Sequence, residues 1–433
     1  LADGVIIAAP CSGSGKTVVT LALLRALAHS GLDIASAKVG PDYIDPRFHA
    51  AATGRPCLNL DQWAMRPGTM ARHLTSLSKD AELIVIEGVM GLYDGPETGK
   101  GSTADLAIAF NLPVVLVVDC SHQAQSVAAL VSGFGLFNPQ LTLAGVILNR
   151  VSSPRHTQLL SQALDAISVP VLGAVPRVDH LALPSRHLGL VQAGEHRELE
   201  TFLDTAADFV AKSVDLTRLH GLARAVAPVD EAAPALPPLA QRIAVADDEA
   251  FGFAYPHLLA GWRDQGADIL PFSPLANQAP DDSAGAVFLP GGYPELHGHT
   301  LSTAAEFLSG LRNAAHRGAL IYGECGGFMV LGETIIDSVG NHHAMSGLLP
   351  VSTSFYRRKL QLGYRNLTHD SPLPWPKNLC GHEFHFSTVD TAGDAPPLFE
   401  AADTAGRPLG PIGMGLGNVM GSYAHIIDQA ASA

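Results

Sequence analysis

The sequence predicts an α/β protein of two domains, each built on a largely parallel sheet, and three observations carry that expectation. Short apolar runs alternate with longer amphipathic stretches in both halves, the pattern of parallel strands joined by crossover helices. The runs are nearly continuous in Val, Ile, Leu and Ala, as strands covered on both faces require. Between the halves lies an Ala- and Pro-rich stretch without apolar periodicity, containing Pro228, Pro234, Pro237 and Pro238.

Taken in order, residues 5–9, 34–39, 83–87, 114–118 and 144–148 are the expected strands of the first half. After the linker the pattern restarts at 243–246, 269–271, 286–289 and 320–323, with extended segments at 363–367, 382–387 and 419–423. The domain boundaries that follow are 1–222, a linker at 223–241, and 242–433. No period repeats between the halves, so they are different modules.

Composition narrows the class of partner. Of 433 residues, 47% are apolar and 16% charged, which suits compact cores and argues against disorder. A formal charge of -14 opposes binding to nucleic acid, whose affinity comes from Lys and Arg on phosphates. The five cysteines form no metal-like spacing, so reduced thiols are expected. No signal-peptide pattern or membrane-length apolar run is seen, so a cytoplasmic protein free of the membrane is the expectation.

The run Ala-Pro-Cys-Ser-Gly-Ser-Gly-Lys-Thr at 9–17 follows a strand and opens an amphipathic helix over 18–29. That is the context of a phosphate-binding loop. Glycines such as Gly13 and Gly15 let backbone N–H groups converge on phosphate oxygens, Lys16 reaches the terminal phosphates, and Thr17 ligates Mg²⁺. Pro10 stands where the first glycine of the usual pattern belongs. Carboxylates for a magnesium nucleotide fall at strand ends, with Asp42 and Glu87 as candidates and Asp94 in the next turn. For any one of them a solvated turn or cap is as good a reading; three at successive strand ends favour function. Asn149, ending the fifth run, is a candidate for bonding a base.

Residues 320–328 read as strand, tight turn and helix, with Cys325 in a Gly-x-Cys-x-Gly elbow. Such an elbow exposes a nucleophile and aims the following N–H, here that of Gly326, at a reacting carbonyl oxygen. Cys57, Cys120 and Cys380 read as inert buried thiols. His425, at the end of the last expected strand, is the candidate base. The Pro-Gly-Gly run at 290–292 offers a second oxyanion N–H at Gly291 or Gly292.

These residues carry a resemblance over nearly the whole chain. With Lys-Val-Gly-Pro-Asp-Tyr-Ile-Asp-Pro at 38–46, Glu-Gly-Val-Met-Gly-Leu-Tyr-Asp-Gly at 87–95, Pro-Gly-Gly-Tyr-Pro-Glu at 290–295, Gly-Glu-Cys-Gly-Gly at 323–327 and Gly-His-Glu-Phe-His at 381–385, the sequence resembles the cobyrinic acid and hydrogenobyrinic acid a,c-diamide synthases of cobalamin biosynthesis. The resemblance implies a P-loop NTPase-like, dethiobiotin synthetase-like first domain and a flavodoxin-like class I glutamine amidotransferase domain. It also implies a reaction: ATP activates a corrin carboxylate as an acyl phosphate, and ammonia from L-glutamine, released at Cys325, displaces the phosphate at the a and c side chains in turn.

On that mapping Gly13, Gly15, Lys16, Thr17 and Asn149 bind ATP, and Thr17, Asp42 and Glu87 meet Mg²⁺. Asp42, Tyr43, Asp94, His382 and His385 lie on the corrinoid side, while a homodimer and the presence of cobalt in the substrate stay open. Class I glutaminases carry a Glu two residues after the histidine, where this chain has Ile427. Asp428 comes one residue later, on the opposite face of an extended strand, so a Cys–His dyad is expected. The competing readings are cobyric acid synthase, against which the 38–46 run speaks, and a partitioning ATPase, which has an early P-loop lysine where this chain has Cys11 and no glutaminase domain.

Overall fold

The computed structural model describes residues 2–178, 185–186, 189–196, 198–226 and 233–431, and Pro228 of the expected linker lies outside them. The chain divides into two compact units, 1–63 with 67–233 and 64–66 with 234–433.

The first unit is a sheet with β1 (Asp3–Ala8), β2 (Ile34–Val39), β3 (Leu58–Leu60), β4 (Leu83–Glu87), β5 (Val114–Asp119), β6 (Leu143–Val151) and β7 (Val171–Pro176). They run parallel in the order β3-β2-β4-β1-β5-β6-β7. Every residue of β2 and β4 is buried, which is why their sequences show no alternation. The register then decides the chemistry, because Glu87 at the end of β4 pairs with Ile7 on one side and Lys38 on the other. The loop after β1 and the end of β4 therefore share the rim where strand order reverses, the usual ligand crevice of such sheets. The three-residue β3, the half-exposed β7 and a two-residue strand at Arg224–Ala225 gave no distinct apolar run.

In chain order the strands that matter in the second unit are β8 (Arg242–Ala246), β9 (Asp268–Phe272), β10 (Ala286–Leu289), β11 (Leu320–Glu324), β12 (Gln361–Thr368), β13 (Asn378–His385), β14 (Met414–Leu416), β15 (Val419–Ser422) and β16 (His425–Gln429). One sheet has the order β9-β8-β10-β11-β15-β14, parallel except at β14. A second, antiparallel sheet contains β12, β13 and β16. The expected extended segments thus belong to different sheets. His425 does not end the strand that starts at 419; the chain leaves β15 after Ser422 and His425 begins β16 in the other sheet. Among the described residues no helix is long and apolar enough to cross a membrane.

Candidate functional site

The phosphate loop of the first unit joins β1 to α1 (Lys16–His29). Gly13 and Gly15 have φ of 83° and 82°, the left-handed region that favours glycine, so the loop folds back on itself. Ser14 closes it, its hydroxyl donating to the Cys11 carbonyl at 2.9 Å. Asn149 reaches the loop from β6, its amide donating to the Ser14 carbonyl at 2.8 Å, and Arg150 donates to the Gly13 carbonyl at 3.0 Å. The amide donor of Asn149, expected to meet a base, is engaged with the loop itself. Beside it a cavity of about 80 Å³ is lined by Gly15, Asn149, Arg150, Val175 and Pro176.

Beneath the loop Lys16 donates to Glu87 Oε1 at 3.1 Å and to the Gly88 carbonyl. Lys38 donates to the same carboxylate oxygen at 2.9 Å and to Asp45 at 2.6 Å, Thr17 donates to it at 2.7 Å, and His49 Nε2 meets Oε2 at 2.6 Å. Burial opposes the charge of Glu87, yet Lys38, Lys16 and His49 hold its carboxyl well below the usual range. Burial also opposes the charge of His49, which Cys57 and Glu87 nonetheless raise to about 10. For Lys16 burial and the neighbouring Lys38 prevail and lower the pKa.

This arrangement does not fit Glu87 as a magnesium ligand. Both its oxygens are already taken by cationic or hydroxyl donors, and no cluster of three or more His, Cys, Asp or Glu suited to a metal occurs among the described residues. Asp42 spends Oδ1 on the N–H groups of Ile44 and Asp45, both at 2.9 Å, and burial with the charge of Asp45 raises it to about 6. Tyr43 is only 3% exposed. Asp94 is exposed and accepts from the Gly91 N–H at 2.9 Å; a Cβ on Gly91 would stand 2.5 Å from the Pro10 carbonyl, so this turn packs on the phosphate loop.

In the second unit β11 runs into the elbow. Cys325 has φ 46° and ψ -104°, a strained backbone for a residue with a Cβ, and α2 (Gly326–Leu331) follows immediately. The turn admits only glycine around it: a Cβ on Gly326 would lie 2.9 Å from the Gly292 nitrogen, so the two backbones expected to supply oxyanion N–H groups are in close approach. A Cβ on Gly291 would meet His425 Cε1 at 2.4 Å, Nε2 at 2.9 Å and Cys325 Cβ at 3.2 Å, which places sulfur-bearing residue and imidazole around one point. Cys325 is 1% exposed. Burial, followed by the charge of Glu295, pushes its thiol up, while the Gly326 N–H acts the other way. Burial and the imidazoles of His382 and His385 bring His425 down to about 3. At rest the pair is therefore a neutral thiol and a neutral imidazole.

His382 does not line an open corrinoid wall. His382 is buried and pairs in register with His425, and His385 stacks on Tyr423 with ring centroids 3.8 Å apart. His385 also borders a cavity of about 600 Å³ with Phe328, Arg365, Glu383 and Tyr423, where Arg365 bonds Glu383 at 2.6 Å. Asp428 is no substitute for the missing Glu: Arg66 donates to it from the backbone at 3.0 Å and from Nη2 at 2.8 Å. Glu324, which sequence reasoning passed over, is the carboxylate near His425, with Oε2 3.7 Å from Nδ1.

Comparison with known proteins accounts for both units. The model of the CobQ/CobB/MinD/ParA nucleotide binding domain matches residues 5–191, and that of the CobB/CobQ-like glutamine amidotransferase domain matches 242–432. The hydrogenobyrinate a,c-diamide synthase of Brucella suis is 52% identical over 433 residues, covering 99% of each chain. The chain belongs to the hydrogenobyrinate a,c-diamide synthase family. Relatives of the same name from Rhizobium meliloti, 51% identical over 98% of this chain and 99% of that one, and Agrobacterium fabrum, 50% identical over 98% and 99%, agree. Membership in this family fixes the fold as a P-loop NTPase-like sheet followed by a glutamine amidotransferase domain, and a partitioning ATPase leaves residues 242–432 without explanation.

Proposed function

We propose that this chain is a ligase that uses ATP and L-glutamine to convert the a and c carboxylates of hydrogenobyrinic acid to amides in cobalamin biosynthesis. The observation that carries the reading is Cys325 held at φ 46° beside His425 in a chain that also holds a P-loop lysine. The full-length relatives named for the cobalt-free substrate favour it over cobyrinic acid.

In the second unit the Cys325 thiol passes its proton to His425 and the sulfur attacks the glutamine amide carbon. The N–H groups of Gly292 and Gly326 receive the oxyanion, and collapse to the thioester releases ammonia. In the first unit Gly13 and Gly15 wrap the phosphates and Lys16 shifts from Glu87 to the transferred phosphoryl group. A corrin carboxylate attacks that group as its bond to ADP breaks, and ammonia then displaces phosphate from the acyl phosphate. Asp42 and Asp94 flank the acceptor, and Asn149 braces the loop.

Division of labour is the test. Cys325→Ala abolishes synthesis from glutamine and leaves synthesis from free ammonia, whereas Lys16→Ala removes both. A folded Cys325→Ala protein that no longer uses ammonia contradicts the scheme. Mass spectrometry of hydrogenobyrinic and cobyrinic acids, each incubated with MgATP and glutamine, counts the amides added and shows which corrinoid is preferred.

A further inference from the structure

Glu324 is the last residue of β11, directly before the nucleophile, and only 1% exposed. The Ile426 N–H donates to its Oε1 at 3.0 Å, the Tyr322 hydroxyl donates to the same oxygen at 3.3 Å, and Oε2 lies 3.7 Å from His425 Nδ1. The place where a class I enzyme keeps its orienting carboxylate is the apolar Ile427, and Asp428 is committed to Arg66.

We infer that Glu324 is the positioning residue of His425, so that the orienting carboxylate comes from the strand that carries the nucleophile instead of the strand that carries the base. The inference rests on the glutaminase reading of this site. Oε1 is anchored by the backbone of β16, which leaves Oε2 for the ring. With Nδ1 turned to Glu324, Nε2 lies toward Gly291 and Cys325. The Phe253 carbonyl, the Tyr255 ring and the imidazoles of His382 and His385 also border the ring.

The protons balance without a further reactant. The thiol proton moves to Nε2 and the C–S bond forms; Nδ1–H of the imidazolium then faces Oε2 of Glu324. On collapse the C–N bond breaks and the Nε2 proton leaves with ammonia. Glu324 holds the ring in place and never touches glutamine.

Full-length Glu324→Gln and Glu324→Asp proteins test this. The Gln variant loses about 10²-fold in glutamine-driven kcat. Its KM for glutamine and its ammonia-driven synthesis stay at the parental level, and inactivation by a diazoketone analogue of glutamine slows in parallel. The Asp variant recovers part of the loss. A Gln variant with parental kcat overturns the assignment, as does one in which ammonia-driven synthesis and melting temperature fall together with glutamine use. If the Gln variant does not fold, an Asp variant at full glutamine-driven kcat overturns it equally. Cys325→Ala, which must abolish glutamine hydrolysis, tests the underlying reading separately.

Discussion

Glu87 in the first unit and Glu324 in the second are both strand-end carboxylates buried almost completely, and their surroundings drive them in opposite directions. Glu87 is ringed by Lys16, Lys38 and His49 and stays ionised far below the normal range. Glu324 has backbone and hydroxyl donors and an imidazole left neutral, so burial prevails and pushes it up to about 8. The difference is one of readiness. On the proposed function, the phosphate site has its positive charge in place, held by a carboxylate that the nucleotide would displace, whereas the thiol site would create its charges only when a proton moves.

The sharpest way to break the comparison is to remove a cation from the first cluster. Lys38 is 2% exposed and joins Glu87 to Asp45, so Lys38→Met leaves two buried carboxylates undercompensated. A loss of about 3–5 kcal/mol in urea unfolding of the first unit is expected. A Lys38→Met protein as stable as its parent means that the cluster is not held by that charge.

A steric change sharpens the second site without touching charge. In Gly291→Ala the new Cβ, 2.4 Å from His425 Cε1, forces the imidazole off its position. Glutamine-driven kcat falls about 10²-fold while ammonia-driven turnover persists. Equal losses in the two assays place Gly291 in general folding and not in the glutaminase step.

The smallest effect is a difference in pH slope. Glu87 is lowered in the folded state, so its contribution is present above the unfolded value of 4.5 and is lost as acid titrates it. Glu324 is raised, so the folded state holds a proton that the unfolded chain has released, and stability falls from pH 4.5 to about 8. His382, His385 and His425 are all lowered and bring the opposite slope, which is half spent at the unfolded value of 6.5 and nearly gone by about pH 7.5. Between about pH 7.5 and 8 the amides of β11 should therefore lose hydrogen-exchange protection, corrected for intrinsic rate, and Glu324→Gln should remove that loss. A slope unchanged by the substitution contradicts the raised carboxyl.

The two sites differed in how much of them could be read from sequence. Val85 and Ile86 announce β4 because both faces of that strand are buried, and the elbow around Cys325 is legible because Gly323 and Gly327 flank the cysteine at two residues on each side. Lys38 is visible as a cation in an apolar strand, but its partner is supplied by register, across to Glu87. Glu324 is harder still. Its significance depends on the chain changing sheets between Ser422 and His425, which a continuous apolar strand pattern conceals. His382 carried a corrinoid expectation because its motif is recognisable, while the pairing that sets it opposite His425 is a long-range fact.

The three residues 64–66 that group with the second unit limit how the protein can be dissected. A fragment cut at the proline-rich junction, beginning at residue 234, omits the guanidinium that closes over Asp428 and leaves that carboxylate embedded with its main counter-charge gone. Sequence boundaries therefore mark where the apolar pattern lapses, not where the glutaminase half becomes self-sufficient. An excised version needs either the Arg66 segment grafted on or Asp428 replaced by a neutral isostere.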